Sequence, residues 1–269
     1  MSGEKRERGA VFGGIDSGSW TTKAVLIDGE RTVLGSAVVR SGADLAAAAE
    51  KAYAAALAAA GLAPESVAAA WATGFGRDNI PFAAGSRTEL DCHARGVHHY
   101  VSGAVTVVDI GGQDAKVIKL DEAGRRESHR MNRKCAAGTG SFIDEMALRL
   151  DVAIGELSAL AAGFEEEVEL GSFCTVFSGT ELLAAIRWGK RPADLARAAY
   201  KSIVKRVMEM DVMEDRVVAT GGVVAHHPMV VSLMEEALGK PVTVPPHPQE
   251  MGAFGAALAA RGASPGKGS

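Results

Sequence analysis

One pattern constrains this chain more than any other, because it occurs twice. An apolar strand ends in Asp, runs through a Gly-containing turn and returns as a second, alternating strand. It stands at Gly14–Ile27 as GIDSGSWTTKAVLI and again at Val108–Leu120 as VDIGGQDAKVIKL. Each copy closes on a charged turn, Asp28-Gly29-Glu30 in the first and Asp121-Glu122-Ala123-Gly124 in the second. Alternating strands around a Gly turn are hairpin patterning. A unit repeated within one chain points to two structurally related halves.

The segments around the two copies read as an α/β chain. VFGGIDSGSWTTKAVLID is a hairpin turning around Gly18 to Thr21, and RTVLGSAVVR continues as a third strand. ADLAAAAEKAYAAALAAAGL is an Ala-rich helix that Gly61 ends. SVAAAWATG is a buried strand entering a Gly turn. After the second copy the chain is richer in helix. SFIDEMALRL, IGELSALAAG, SGTELLAAIRWGK and PADLARAAYKSIVKRVMEM carry apolar residues at helical spacing, with Pro192 placed as a first helical residue. DRVVATGGVVAH is a strand into a third Gly turn. MVVSLMEEALG is a helix, PVTVPP a short strand and EMGAFGAALAAR the last helix.

Composition removes some function classes. Of 269 residues, 47% are hydrophobic and 23% charged, which suits a globular chain. A net charge of −4 argues against a general nucleic-acid binder. No apolar run reaches the roughly 18 residues a membrane span needs. The charged N-terminus lacks the apolar stretch of a signal peptide. Residues 1–9 and the tail GASPGKGS read as disordered, and a cytoplasmic location is the default expectation. The cysteines are Cys92, Cys135 and Cys174. An odd, small number disfavours a disulfide framework, and number alone makes them buried thiols. His98-His99-Tyr100 and His226-His227 lack clustered partner ligands and read as solvated or helix-capping histidines.

The turns themselves suggest phosphate chemistry. Backbone N–H groups of a tight turn form a nest for phosphate oxygens, and Ser19, Thr21 and Thr22 place hydroxyls beside it. Asp16 is suited to holding Mg²⁺ through water, and Lys23 adds positive charge. A single such turn is equally the tip of an ordinary hairpin with a solvated Asp. Asp109, Gly111, Gly112, Gln113 and Asp114 repeat the logic, with Asp109 suited to orienting a water. Ala219-Thr220-Gly221-Gly222-Val223 lets the chain approach a flat base or ribose closely. The three turns in this order make a nucleotide signal that none makes alone.

That order resembles the phosphate-1, phosphate-2 and adenosine motifs of the actin/sugar-kinase/Hsp70 superfamily. The resemblance implies two ribonuclease-H-like (actin-like ATPase) subdomains with ATP in the cleft between them. The expected division is residues 1–9 as lead, 10–101 plus 245–263 as subdomain I, and 102–244 as subdomain II. A sharper resemblance lies in Asn132–Phe142, NRKCAAGTGSF, and Phe173–Phe177, FCTVF. Together with ATGFGRDNI, ELDCHARG and GAFGAAL, they resemble the ATP-dependent activators of 2-hydroxyacyl-CoA dehydratases and the ATPase subunits of benzoyl-CoA reductase.

This resemblance implies that Cys135 and Cys174 are cluster ligands. Each precedes a predicted helix start, which favours a thiolate. A cubane takes about four thiolates, so two chains would share one [4Fe–4S] cluster on a two-fold axis. It implies nucleotide contacts from Ser19, Trp20, Thr21, Thr22, Lys23, Gly112, Gln113, Asp114, Thr139, Gly221, Gly222 and Gln249. Asp109, Asp16 and Gln113 are then catalytic, with ATP and Mg²⁺. The implied role is hydrolysis-driven, one-electron transfer from a ferredoxin or flavodoxin to an acyl-CoA dehydratase or benzoyl-CoA reductase component. A homodimer, or a dimer with a related chain, and oxygen sensitivity follow from it. Cys92, in ELDCHARG, stays a structural thiol. The chain departs from the family pattern at Gly179, where Glu is usual, and at Trp20, where small residues are common. The alternative is a sugar or small-metabolite kinase of the same superfamily, without a cluster.

Overall fold

The computed structural model describes residues 9–132, 138–170, 175–213 and 216–263, with 175–178 described by backbone alone. The first elements in chain order are β1 (Val11–Ser17), β2 (Thr21–Ile27), β3 (Val33–Arg40), α1 (Leu45–Ala60), β4 (Val67–Thr73), β5 (Gly85–Ser86) and α2 (Glu89–Tyr100). There follow β6 (Val105–Ile110), β7 (Ala115–Leu120), β8 (Arg126–Asn132), α3 (Gly140–Arg149), α4 (Leu157–Ala162), α5 (Thr175–Arg187) and α6 (Pro192–Met208). The chain ends in β9 (Arg216–Thr220), α7 (Gly222–His226), α8 (Pro228–Leu238), β10 (Val242–Thr243) and α9 (Met251–Ala263). Two compact units result. One runs to Val101 and resumes at Glu250; the other is Ser102–Gln249.

Each unit holds a five-stranded sheet of the same design. The first has the order β3-β2-β1-β4-β5, and the second β8-β7-β6-β9-β10. In both, the first three strands in sequence pair antiparallel and the next two join parallel. The doubled sequence pattern is thus a doubled topology. The units differ in the connection to the fourth strand. Unit one crosses from β3 to β4 through α1, whereas unit two crosses from β8 to β9 through α3, α4, α5 and α6.

In unit one, helices cover both faces of the sheet. Ile15 and Leu26 face Ala49, Ala52, Ala56 and Leu57 of α1, while Phe12, Val25 and Ile27 face Ala253, Phe254 and Ala257 of α9. The period of two along β1 and β2 sends alternate side chains to opposite faces. Asp44 caps α1 by accepting from Ala47 N at 3.0 Å, and Gly61 ends it at φ 62°. α9 lies close against α2. A Cβ on Gly255 would stand 1.8 Å from the carbonyl oxygen of Cys92, a contact with backbone that no rotamer relieves. Cys92 is buried there, and burial pushes its thiol up to about 12. That suits the structural reading of this cysteine.

Unit two packs its helices on one continuous core. Val108, Ile110 and Val117 meet Phe142, Ile143 and Met146 of α3, Leu195 and Ile203 of α6, and Leu233 of α8. A polar chain crosses this core. Ser158 Oγ lies 3.1 Å from Tyr200 Oη, which lies 2.8 Å from His227 Nδ1. His227 is therefore neither a solvated nor a capping side chain: it occupies the residue before α8, but its ring turns inward. Burial, with a smaller contribution from His226, lowers its pKa from 6.5 to about 4. β8 (RESHRMN) shows no strand alternation because it is an edge with little to bury; charged side chains guard it. No helix among the described residues is long and apolar enough to cross a membrane.

Two outcomes follow for stability. Gly255→Ala forces α2 and α9 apart and costs about 3 kcal/mol, the upper part of the range for over-packing. Thermal melting should show a midpoint lower by roughly 6–12 °C. For His227, the unfolded chain takes up a proton near pH 6.5 while the folded one waits until about 4. Across that window the unfolded state binds more protons, so stability falls as pH falls. Melting of His227→Gln from pH 7 to 4 should show a shallower decline than wild type.

Candidate functional site

The two hairpins place the same side chains in the same register. In unit one Asp16 sits near the end of β1, opposite Lys23 on β2 and Thr73 on β4. In unit two Asp109 sits near the end of β6, opposite Lys116 on β7 and Thr220 on β9. Gly74 and Gly221 follow the threonines at φ 88° and 99°. A Cβ on either would run into the aspartate: 2.4 Å from Asp16 Oδ1, and 2.8 Å from Asp109 Oδ1. Glycine is required there for conformation and for space.

The two carboxylates are held differently. Lys23 Nζ lies 3.1 Å from Asp16 Oδ2. Asp16 Oδ1 and the neighbouring Ser17 Oγ are buried without a hydrogen-bond partner among the described residues. A buried carboxylate oxygen without a partner fits a hydrated cation, which would satisfy it. Asp109 is engaged on both oxygens. Lys116 Nζ donates to Oδ2 at 3.0 Å and Thr220 Oγ1 to Oδ1 at 3.1 Å. The same ammonium donates to Asp114 Oδ1 at 3.0 Å.

Around Asp16 the turn is closed by Gly18 N donating to Thr21 O at 3.2 Å. Ser41 holds it from β3's end: its hydroxyl donates to Gly18 O at 2.6 Å and lies 2.9 Å from Thr22 Oγ1. Thr22 is thus buried and turned inward, while Ser19 and Trp20 are exposed and Thr21 and Lys23 half-buried. Trp20 has the Arg40 guanidinium 5.3 Å from its ring centre, a cation–π contact that accounts for an aromatic residue at this turn.

Around Asp109 the turn is coupled to a helix. Gly111 N donates to Asp114 O at 2.9 Å. The carbonyls of Gly111 and Gly112 accept from Gly140 N at 2.9 Å and Ser141 N at 2.8 Å. These are the first N–H groups of α3, which otherwise lack intrahelical partners. Thr139 is buried, its Oγ1 3.0 Å from Ser141 Oγ. Gln113 is exposed on the turn. A second group gathers at Gly221, whose N–H donates to Pro248 O at 2.9 Å. Gln249 comes against Gly222, and its Oε1 lies 2.8 Å from His226 Nε2.

The structure therefore gathers Asp16 with Ser19–Lys23 in one unit. In the other it joins Asp109, Gly112, Gln113, Asp114 and Thr139 in one group and Gly221, Gly222 and Gln249 in another, with Thr220 bridging them. Cys135 and Cys174 lie outside the described residues. The helices that follow them begin at Gly140 and Thr175. Gly179 on α5 is buried beneath Arg149 of α3: a Cβ there would stand 2.8 Å from Cζ, and Arg149 Nε is held at 2.7 Å by Glu145 Oε1. A guanidinium thus occupies the space a side chain at this position would take.

Four residues escape motif reading. Lys116 has a signal, since Asp and Lys are seven apart in both copies. Thr73-Gly74 repeats Thr220-Gly221 after an apolar strand. Ser41 has none, because only folding brings it to Gly18.

Known proteins resemble this chain along nearly its whole length. A family model described as the BadF/BadG/BcrA/BcrD ATPase family matches residues 14–260. The 2-hydroxyisocaproyl-CoA dehydratase activator of Clostridioides difficile is 37% identical over 251 residues, 91% of this chain and 92% of that protein. A component of the benzoyl-CoA reductase of Thauera aromatica is 28% identical over 92% of each chain. The solved structure of the Clostridium difficile activator with bound ADPNP superposes with a TM-score of 0.87 at 36% identity, covering 94% of each chain. A ROK family glucokinase from Streptomyces griseus, at 15% identity and a TM-score of 0.57, covers 94% of this chain and 100% of that one, and shares the fold alone.

Proposed function

The chain belongs to the BadF/BadG/BcrA/BcrD ATPase family, and from that premise we propose that it couples ATP hydrolysis to low-potential, one-electron transfer toward a CoA-ester-reducing partner. It is an ATP-hydrolysing activator of the actin-like fold. The observation that carries the coupling is the seating of α3 on the Asp109 turn. The carbonyls of Gly111 and Gly112 receive the first N–H groups of the helix that follows Cys135. A change in that turn on loss of a phosphate is then a change at the start of α3.

For hydrolysis, the residues divide by how their carboxylates are held. Asp16, with its unpartnered Oδ1, holds Mg²⁺ through water. Asp109, oriented by Lys116 and Thr220, positions the attacking water, with Gln113 beside it. Phosphoryl transfer asks the protein chiefly for such positioning and charge. Ser19, Trp20, Thr21, Thr22 and Lys23 serve one phosphate turn, and Gly112, Gln113, Asp114 and Thr139 the other. Gly221, Gly222 and Gln249 meet the adenosine. Thr22 acts from within, through Ser41.

Cys135 and Cys174 of two copies hold one [4Fe–4S] cluster, which would supply the one-electron carrier. Support comes from the family and from the helices that start after each cysteine. A ferredoxin or flavodoxin is the donor. The nearer likeness to the dehydratase activator than to the benzoyl-CoA reductase component favours a 2-hydroxyacyl-CoA dehydratase as acceptor.

Protein purified without oxygen should be brown and carry about two iron atoms per chain. Cys135→Ala and Cys174→Ala should lose the iron and Cys92→Ala keep it; a colourless wild-type protein under strict anaerobiosis would overturn the cluster reading. Asp109→Asn should lower ATP turnover by about 10²-fold or more while iron content is unchanged. Turnover equal to wild type removes Asp109 from the reaction.

A further inference from the structure

We propose that Lys116 is a positioning residue for ATP hydrolysis, clamping Asp109 and Asp114 into one fixed arrangement. The inference rests on the reading of Asp109 as the water-orienting group. Its basis is geometric. The Lys116 side chain is 1% exposed, and its ammonium stands 3.0 Å from Asp109 Oδ2 and 3.0 Å from Asp114 Oδ1. A charge buried that deeply is tolerated when opposite charges and hydrogen bonds meet it, and here two carboxylates share it.

The consequence for Asp109 is orientational. With Lys116 on one oxygen and Thr220 on the other, the carboxylate plane is fixed. A water that donates to a carboxylate so held arrives along a set direction. Positioning of this kind is worth large factors in rate and little in ground-state affinity. Without the ammonium, two carboxylates of one short turn face each other with no shared cation. Repulsion turns one of them away.

The first unit provides an internal comparison. Lys23 meets a single carboxylate and is 14% exposed, and Asp16 Oδ1 has no partner among the described residues. Of the two turns, only the second carries the two-carboxylate clamp. That turn is also the one on which α3 is seated through Gly111 and Gly112.

The test compares Lys116→Met, which keeps the length of the side chain, and Lys116→Gln, which keeps a donor, with Asp109→Asn. Steady-state ATP turnover, calorimetric affinity for a non-hydrolysable ATP analogue and thermal melting are measured on the same preparations. Lys116→Met should lower kcat about 10²-fold with analogue affinity within about threefold of wild type, and Lys116→Gln should fall between. A wild-type kcat in Lys116→Met overturns the proposal. So does parallel loss of kcat, affinity and melting temperature, which marks a merely structural lysine. If Lys116→Met does not fold, Lys116→Gln decides on the same criteria. The parallel Asp109→Asn separates the two levels: full activity there removes the underlying reading, whereas an inactive Asp109→Asn beside a fully active Lys116→Met removes the clamp alone.

Discussion

A lysine ammonium buried between two aspartates anchors the second half of this molecule. Lys116 sits within a sheet whose other side chains are largely apolar, and its charge is tolerable because Asp109 and Asp114 reach it from the same turn. Much else is arranged around that group. Thr220 must end the adjacent strand to engage the remaining oxygen of Asp109. Gly221 must follow it without a side chain, because a Cβ would press on both Asp109 and the carbonyl of Ile110. The turn so held presents two carbonyls, and α3 begins on them. The geometry of the Asp109 turn and the placement of α3 therefore share one set of hydrogen bonds.

The first half uses the same frame to a different end. Strand order, register and the Asp, Lys, Thr-Gly set all recur. What changes is how many bonds each aspartate receives. Asp109 is held at both oxygens, which suits a group that must aim a water. Asp16 leaves one buried oxygen unpartnered, which suits a group that must hold a hydrated cation. The difference lies in a single threonine hydroxyl: that of Thr220 reaches the carboxylate, whereas that of Thr73 has no hydrogen-bond partner among the described residues. The remaining difference is the crossover. A lone helix in unit one is replaced by α3 to α6 in unit two, and the stretches containing Cys135 and Cys174 fall within that longer connection.

Much of this was legible from residues alone. The hairpins, the Ala-rich α1 with its Gly61 end and Pro192 at the start of α6 follow from local preferences that act within a few residues. The Gly-rich turns that follow β1, β6 and β9 were legible as such. β8 was not, because an edge strand that buries little carries no alternation to read. The pair His226-His227 looked like a surface feature. Yet His227 is drawn inward by Tyr200, a partner on another helix that no local pattern announces. Gly179 looked like a missing carboxylate, and packing shows the space filled by Arg149 of a neighbouring helix.

By itself, the sequence determined that two related strand–Asp–turn–strand units exist, that Gly-rich turns follow their strands and that cysteines precede helix starts. These are properties of short segments, set by side-chain period and backbone freedom. Tertiary structure alone decided which polar groups meet. It put Ser41 on Gly18 and Thr220 on Asp109. Those two contacts join segments 23 and 111 residues apart, and they exist because buried polar atoms must find partners wherever the fold brings one within reach.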